Sequence, residues 1–250
     1  MSHPQPLFKE DRSAQDAPGP VASAVLSEDS LAAEQFRLLG VRVRSLERER
    51  PLRIIGVVSA APAEGKTTVS IGLARYLALG ERDRVLLVEA DMRRPSLDEV
   101  LGLTPPEIGV RRYLGEGKGP LAIRRMAGLD GCWVLSAGEG SLRRPDLLVS
   151  PRMLALLEAA KAAFRYVVVD CPPLVPVADA VLLQDHLDAF VFVVRSRRAP
   201  REAVQRAIAL LKPNAVLGIV FNGHREIIRS HYNYGYDHYK SGDSGRKRLR

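Results

Sequence analysis

The sequence predicts a doubly wound α/β fold built on a mostly parallel sheet. Six short apolar runs, Arg53–Ser59, Arg84–Ala90, Cys132–Ser136, Tyr166–Asp170, Ala189–Arg195 and Val216–Asn222, alternate with longer helical patterns. Their near-continuous Val, Ile and Leu content suits strands covered by helices on both faces, since a strand with one wet face would alternate apolar with polar residues. No fixed-period repeat points to a solenoid. The length agrees, because 250 residues with 46% hydrophobic content suffice for one large domain with a substantial core.

The ends read differently from the middle. Residues 1–24 hold Pro4, Pro6, Pro18 and Pro20 among polar residues without sustained periodicity, and are expected to be unstructured. The folded domain is expected over 25–230, followed by a tyrosine-rich, basic, flexible tail over 231–250. The formal charge is +8, and Arg246, Lys247, Arg248 and Arg250 crowd the end of the tail. No aromatic residues interleave with those four as a strand-binding surface would require, so no specific nucleic-acid partner is expected. No apolar run approaches the ~18 residues of a membrane-spanning helix, and Met1 to Pro20 lacks the apolar stretch of a secretory signal, so a cytoplasmic protein is expected. Cys132 and Cys171 sit inside apolar strand-like runs and read as buried thiols rather than a disulfide or metal ligands, and suggest no redox chemistry.

The first run leads into Ala60-Ala61-Pro62-Ala63-Glu64-Gly65-Lys66-Thr67-Thr68. Val69, Leu73, Ala74 and Leu77 then mark the apolar stripe of a helix ending at Gly80. A strand, a Gly-Lys-Thr loop and a helix in this order make a P-loop, with Ala60 where the motif usually begins with glycine. Backbone N–H groups of the loop would surround phosphates at a helix N-terminus, Lys66 would span the β and γ oxygens, and the Thr67 hydroxyl would bind Mg2+. Two acidic strand ends complete the site. Glu89 and Asp91, two residues apart, leave their strand toward the same side and can share a metal or a water. Asp170 closes Val167-Val168-Val169-Asp170 and would hold Mg2+ directly or through water. ATP and Mg2+ are the expected cofactors.

Taken in order, these residues resemble the bacterial tyrosine kinases, or BY-kinases, and their relatives in exopolysaccharide and capsule biosynthesis. Pro62-Ala63-Glu64-Gly65-Lys66-Thr67 is similar to the family's P-G-E-G-K-[ST] loop, and Glu89 to Pro95 to its Walker A′ element D-x-D-x-R. The Walker B strand followed by Pro172-Pro173 matches as well. Ala137-Gly138, Arg144-Pro145-Asp146-Leu147-Leu148, Pro176-Val177-Ala178-Asp179-Ala180 and Phe221-Asn222-Gly223 are similar to further landmarks, so the resemblance spans roughly Ala24 to Tyr239. It implies a P-loop NTPase of the MinD/ParA-like branch. Nucleotide contacts would fall on Pro62, Ala63, Glu64, Gly65, Lys66, Thr67, Thr68, Arg93 and Asn222, metal contacts on Thr67, Asp91 and Asp170, and the catalytic set on Lys66, Glu89, Asp91 and Asp170. Glu89 replaces the first Asp of Walker A′, and Ala63 replaces a loop glycine.

The resemblance also assigns the chain's end. His231-Tyr232-Asn233-Tyr234-Gly235-Tyr236-Asp237-His238-Tyr239 places four of the seven tyrosines within eight residues. Tyr232, Tyr234, Tyr236 and Tyr239 are therefore the expected phosphate acceptors, modified by a neighbouring subunit. A helix around Ser30–Leu46, packed through Leu31, Leu38 and Leu39, would carry the subunit-contact motif E-x-x-R-x-x-R as Glu34 and Arg37. Its third position is Gly40, and Arg44, on the same face, offers a substitute cation. The implied partners are further copies of the chain and a membrane-embedded activator of the polysaccharide chain-length type, which would recruit the kinase to the inner face of the plasma membrane. The rivals are a nucleotide-binding regulator without turnover and a ParA/MinD-like positioning ATPase. The latter class carries a second lysine where this chain has Ala61.

Overall fold

The computed structural model describes residues 7–11, 23, 25, 30–80, 83–129, 131–140, 145–175 and 179–223. The described strands are β1 (Phe8–Glu10), β2 (Ile54–Ser59), β3 (Val85–Glu89), β4 (Leu121–Arg125), β5 (Cys132–Leu135), β6 (Tyr166–Asp170), β7 (Ala189–Arg195) and β8 (Val216–Asn222). The described helices are α1 (Leu31–Glu47), α2 (Lys66–Leu77), α3 (Leu97–Leu101), α4 (Val110–Glu116), α5 (Pro151–Ala163), α6 (Asp179–Leu183) and α7 (Arg201–Ala209).

The strands form one sheet in the order β1-β4-β5-β3-β6-β2-β7-β8. All neighbouring pairs are parallel except β4 and β5. Each central strand presents successive residues to opposite faces, as strand geometry requires. Ile55, Val57, Val168, Val191 and Val193 meet the α1 and α2 side, whereas Ile54, Val58, Val167, Val169, Phe190 and Phe192 meet α4 to α7. This two-sided burial is why the runs read as continuous apolar stretches. Cys132 and Cys171 are buried and unbridged.

Six strands were legible and eight are described. β4 escaped notice because Leu-Ala-Ile-Arg-Arg ends in two charges, and because its antiparallel pairing breaks the alternating βα pattern. β1 corrects the expectation that residues 1–24 lack structure. Phe8 lies edge-to-face with Phe164 at 5.9 Å, and Asp11 pairs at 2.9 Å with Arg124, whose side chain is 8% exposed. One short strand thus gains an aromatic contact and a largely buried ion pair.

α1 also departs from expectation. Leu31 and Leu38 are 64% and 55% exposed, and the helix packs through Ala33, Phe36, Leu39, Gly40 and Val43 instead. Two glycines explain the fit. A Cβ on Gly40 would stand 1.7 Å from the Tyr76 ring of α2, and one on Gly72 of α2 would stand 2.5 Å from the Phe36 ring of α1. Each helix therefore leaves a notch for the other's aromatic ring. The Gly40 position faces the core, not a neighbouring subunit, and Arg44 does not replace a missing surface cation. Its Nη2 binds Asp83 at 2.7 Å and the Leu77 carbonyl at 2.9 Å. Glu34 and Arg37 remain on the exposed face, 3.4 Å apart.

Candidate active site

The loop after β2 is gripped by the ends of β7 and β8. Asn222 Nδ2 donates to the Glu64 carbonyl at 2.9 Å, and Arg195 Nη1 donates to the Ala63 carbonyl at 3.1 Å. Gly65 has φ +97°, and a Cβ there would lie 1.8 Å from Asn222 Nδ2, so both conformation and space demand glycine. Ala63 adopts φ +60° without that freedom. Lys66 opens α2 at 8% exposure, and neither an acidic residue in the first turn nor a side-chain cap occupies this helix end. Uncapped N–H groups and the helix dipole make it receptive to an anion. Thr68 is half-buried behind it, while Pro62 and Ala63 are exposed.

Glu64 is 2% exposed, and neither carboxylate oxygen has a hydrogen-bond partner. Burial raises its pKa, with the nearby amides of Ala61 and Arg195 and the charge of Lys66 acting in the opposite sense.

Asp170 lies at the end of β6, 1% exposed. It accepts hydrogen bonds from Thr67 Oγ1 at 2.6 Å and Ser70 Oγ at 3.2 Å. Burial lifts its pKa to about 6 against the pull of the Thr67 hydrogen bond and Lys66, while Asp91 pushes it further up. Asp91 is 9% exposed and its Oδ1 accepts from the Arg94 N–H at 3.0 Å, which curls the chain back after β3. A hydroxyl and buried carboxylates are the hard oxygen donors that suit Mg2+ arriving with phosphates, which seldom uses an all-protein cage. The donor set fits that ion. Thr67, Asp91 and Asp170 would hold it.

Glu89 is engaged differently. It is fully buried, and its Oε1 accepts the backbone N–H groups of Ser96 and Leu97 (2.8 Å to the latter), while Oε2 accepts that of Ala137 at 2.9 Å. Burial raises its pKa to about 7 in spite of these three bonds. Expected as a partner of Asp91 in metal or proton chemistry, it clamps the segment after Asp91 through these amides. Arg111 of α4 assists by donating to the Met92 carbonyl at 2.6 Å and the Gly140 carbonyl at 2.8 Å. Arg93 is exposed beside this turn.

Sequence reasoning missed Ser70, Ser96 and Arg195. Ser70 lies three residues after Thr67, a spacing that puts both hydroxyls on one helix face and could have been read. Ser96 and Arg195 depend on how distant loops fold. Tyr232, Tyr234, Tyr236 and Tyr239, Arg144, and the Pro176-Val177-Ala178 landmark lie outside the described residues.

No family model matches the chain. It is 30% identical over 221 residues to tyrosine-protein kinase YwqD of Bacillus subtilis (strain 168), an alignment covering 85% of this chain and 89% of YwqD. It is 34% identical over 203 residues to succinoglycan biosynthesis transport protein ExoP of Rhizobium meliloti (strain 1021), covering 77% of this chain but only 25% of ExoP. The chain thus spans about a quarter of that relative and nearly all of YwqD. Among solved structures, the kinase domain of the Escherichia coli tyrosine kinase ETK superposes with a TM-score of 0.73 at 26% identity, covering 90% of this chain and 89% of that one. The septum site-determining protein MinD from Pyrococcus horikoshii OT3, solved with Mg-ADP, follows at a TM-score of 0.52 and 25% identity, over 70% and 72% of the two chains. With a P-loop, a carboxylate on each of two strand ends and this degree of likeness to YwqD, the chain belongs to the bacterial tyrosine-kinase (BY-kinase) family.

Proposed function

We propose that the chain uses Mg-ATP to phosphorylate the tyrosines of its own C-terminal segment, Tyr232, Tyr234, Tyr236 and Tyr239, between copies, and that this phosphorylation regulates polysaccharide synthesis or export. The observation that carries the reading is the convergence of Lys66, Thr67, Asp91 and Asp170 at the ends of β2, β3 and β6. MinD with Mg-ADP on the same fold supports the choice of cofactor, and ExoP, a succinoglycan biosynthesis protein, supports the pathway.

The residues divide the work. The loop and Lys66 hold the β and γ phosphates, and Lys66 neutralises charge as it shifts toward the leaving oxygen. Bound Mg2+ supplies further neutralisation and fixes the phosphate geometry. A tyrosine of another copy enters with its hydroxyl in line with the γ-phosphate. Its oxygen bonds to phosphorus as the bond to the β–γ bridging oxygen breaks, giving phosphotyrosine and ADP, and Asp91 takes the phenolic proton. The three amides that Glu89 accepts favour Asp91 over Glu89 for that step.

No described helix is long and apolar enough to cross a membrane. A membrane-embedded activator of the chain-length type, met by an assembled ring or cluster of copies, would bring the kinase to the membrane face, and phosphate charge on the tails would oppose assembly. The test is peptide mass spectrometry after incubation with Mg-ATP, for the wild type and Lys66→Ala, with and without the activator's cytoplasmic segment. Phosphate on Tyr232 to Tyr239 that vanishes in Lys66→Ala is expected. ATP binding or hydrolysis with no tyrosine phosphate under either condition would overturn the kinase reading in favour of a regulator or positioning ATPase.

A further inference from the structure

Ser96 holds the N-cap position of α3, where a serine hydroxyl ordinarily accepts a hydrogen bond from the first turn. Here it makes no such bond. Ser96 Oγ lies 2.8 Å from Thr67 Oγ1, across 29 residues of sequence. The capping task has passed to Glu89, whose carboxylate takes the N–H groups of Ser96 and Leu97. The Ser96 hydroxyl is thus released from its local duty and held against the hydroxyl expected to bind the metal. Thr67 donates its own proton to Asp170 at 2.6 Å, so Ser96 is the donor in its contact with Thr67.

We propose that Ser96 contributes a second hydroxyl to the cation–phosphate site, supplying an oxygen to the ion's coordination sphere alongside Thr67, with Glu89 as the positioning residue that aims it. This rests on the reading of the site as one for Mg-nucleotide. Three elements converge on the arrangement: Thr67 from α2, Asp170 from β6, and the Ser96 turn pinned by the end of β3. None of the other described hydroxyls contacts Thr67 in this way.

The experiment measures binding of a fluorescent ADP analogue by the full chain as a function of free Mg2+, and again with Cd2+. The wild type is expected to bind more tightly as Mg2+ rises. Ser96→Ala should raise the Mg2+ concentration at half-effect about tenfold, the lower end of what losing a metal-supporting group typically costs, and leave metal-free binding within about twofold. Ser96→Thr should behave as the wild type. Ser96→Cys should match Ser96→Ala in Mg2+ but recover in Cd2+, because a soft thiolate prefers a soft ion. An unchanged or lowered Mg2+ requirement in Ser96→Ala would overturn the proposal. So would failure of Ser96→Thr to retain the wild-type requirement while its melting temperature is unchanged. A wild type with no Mg2+ dependence would instead overturn the Mg-nucleotide reading itself. Should Ser96→Cys not fold, the alanine and threonine variants decide alone.

Discussion

Glu89→Ala removes one side chain and strands three amides, the buried ones of Leu97 and Ala137 and the part-buried one of Ser96. Each stranded N–H costs about 1–3 kcal/mol, so the gross loss is about 3–9 kcal/mol. Part is returned, because the carboxyl carries a burial cost of its own. Its pKa is raised from 4.5 to about 7, which at full ionisation corresponds to about 3 kcal/mol of destabilisation relative to the neutral form. The expected net loss is about 3 kcal/mol, or a fall of roughly 6–12 °C in melting temperature for a domain of this size. The pH dependence identifies the cause. A carboxyl raised on folding stabilises most below its unfolded value of 4.5 and loses that contribution as pH climbs through about 7. The wild type therefore weakens from pH 6 to pH 8 by about 1 kcal/mol that the variant does not share, and the gap between them narrows. Asp170 is common to both and cancels. Thermal and urea unfolding of nucleotide-free protein at the two pH values gives the answer. A variant within about 1 °C of the wild type, or a gap that widens toward pH 8, would refute the clamp.

Gly40→Ala drives a methyl into the Tyr76 ring and should cost about 1–3 kcal/mol, most of it recovered when paired with Tyr76→Ala in a urea-unfolding double-mutant cycle. Ala63→Gly relieves a left-handed residue at φ +60° and should stabilise the nucleotide-free protein by about 0.5–1 kcal/mol in the same assay. Asp170→Asn removes a buried carboxylate whose pKa stands near 6, so at pH 8 the nucleotide-free protein should gain about 1 kcal/mol while the Mg2+ dependence of ADP binding disappears.

The parts legible in the sequence are those whose signal is local. β6 and β7 fall on the expected boundaries because apolar runs buried on both faces end abruptly at Asp170 and Arg195, whereas β8 is a half-exposed edge strand legible from its apolar content up to Asn222. Lys66 and Thr67 follow their strand by simple spacing. What depended on distant chain was not legible. The carboxylate of Glu89 gives no hint that it will face amides from two other segments in place of a metal, and Ser96 gains its neighbour only once the turn after β3 folds over α2. Gly40 reads as a flaw in a surface motif until Tyr76 is seen filling the space. β1 could not be foreseen among prolines because its anchors, Phe164 and Arg124, lie more than a hundred residues away.

The grip of Asn222 on the phosphate loop has a topological consequence. The strand that braces the nucleotide site is also the last described one, so the chain departs from beside its own active centre. Tyr232 follows Gly223 by nine positions, a span of at most about 30 Å when fully extended. For the proposed transfer between copies, reach alone does not forbid a chain from serving itself. Diluting the enzyme reads this out: a rate per molecule that falls with concentration marks exchange between copies, and a constant rate marks a chain that serves itself.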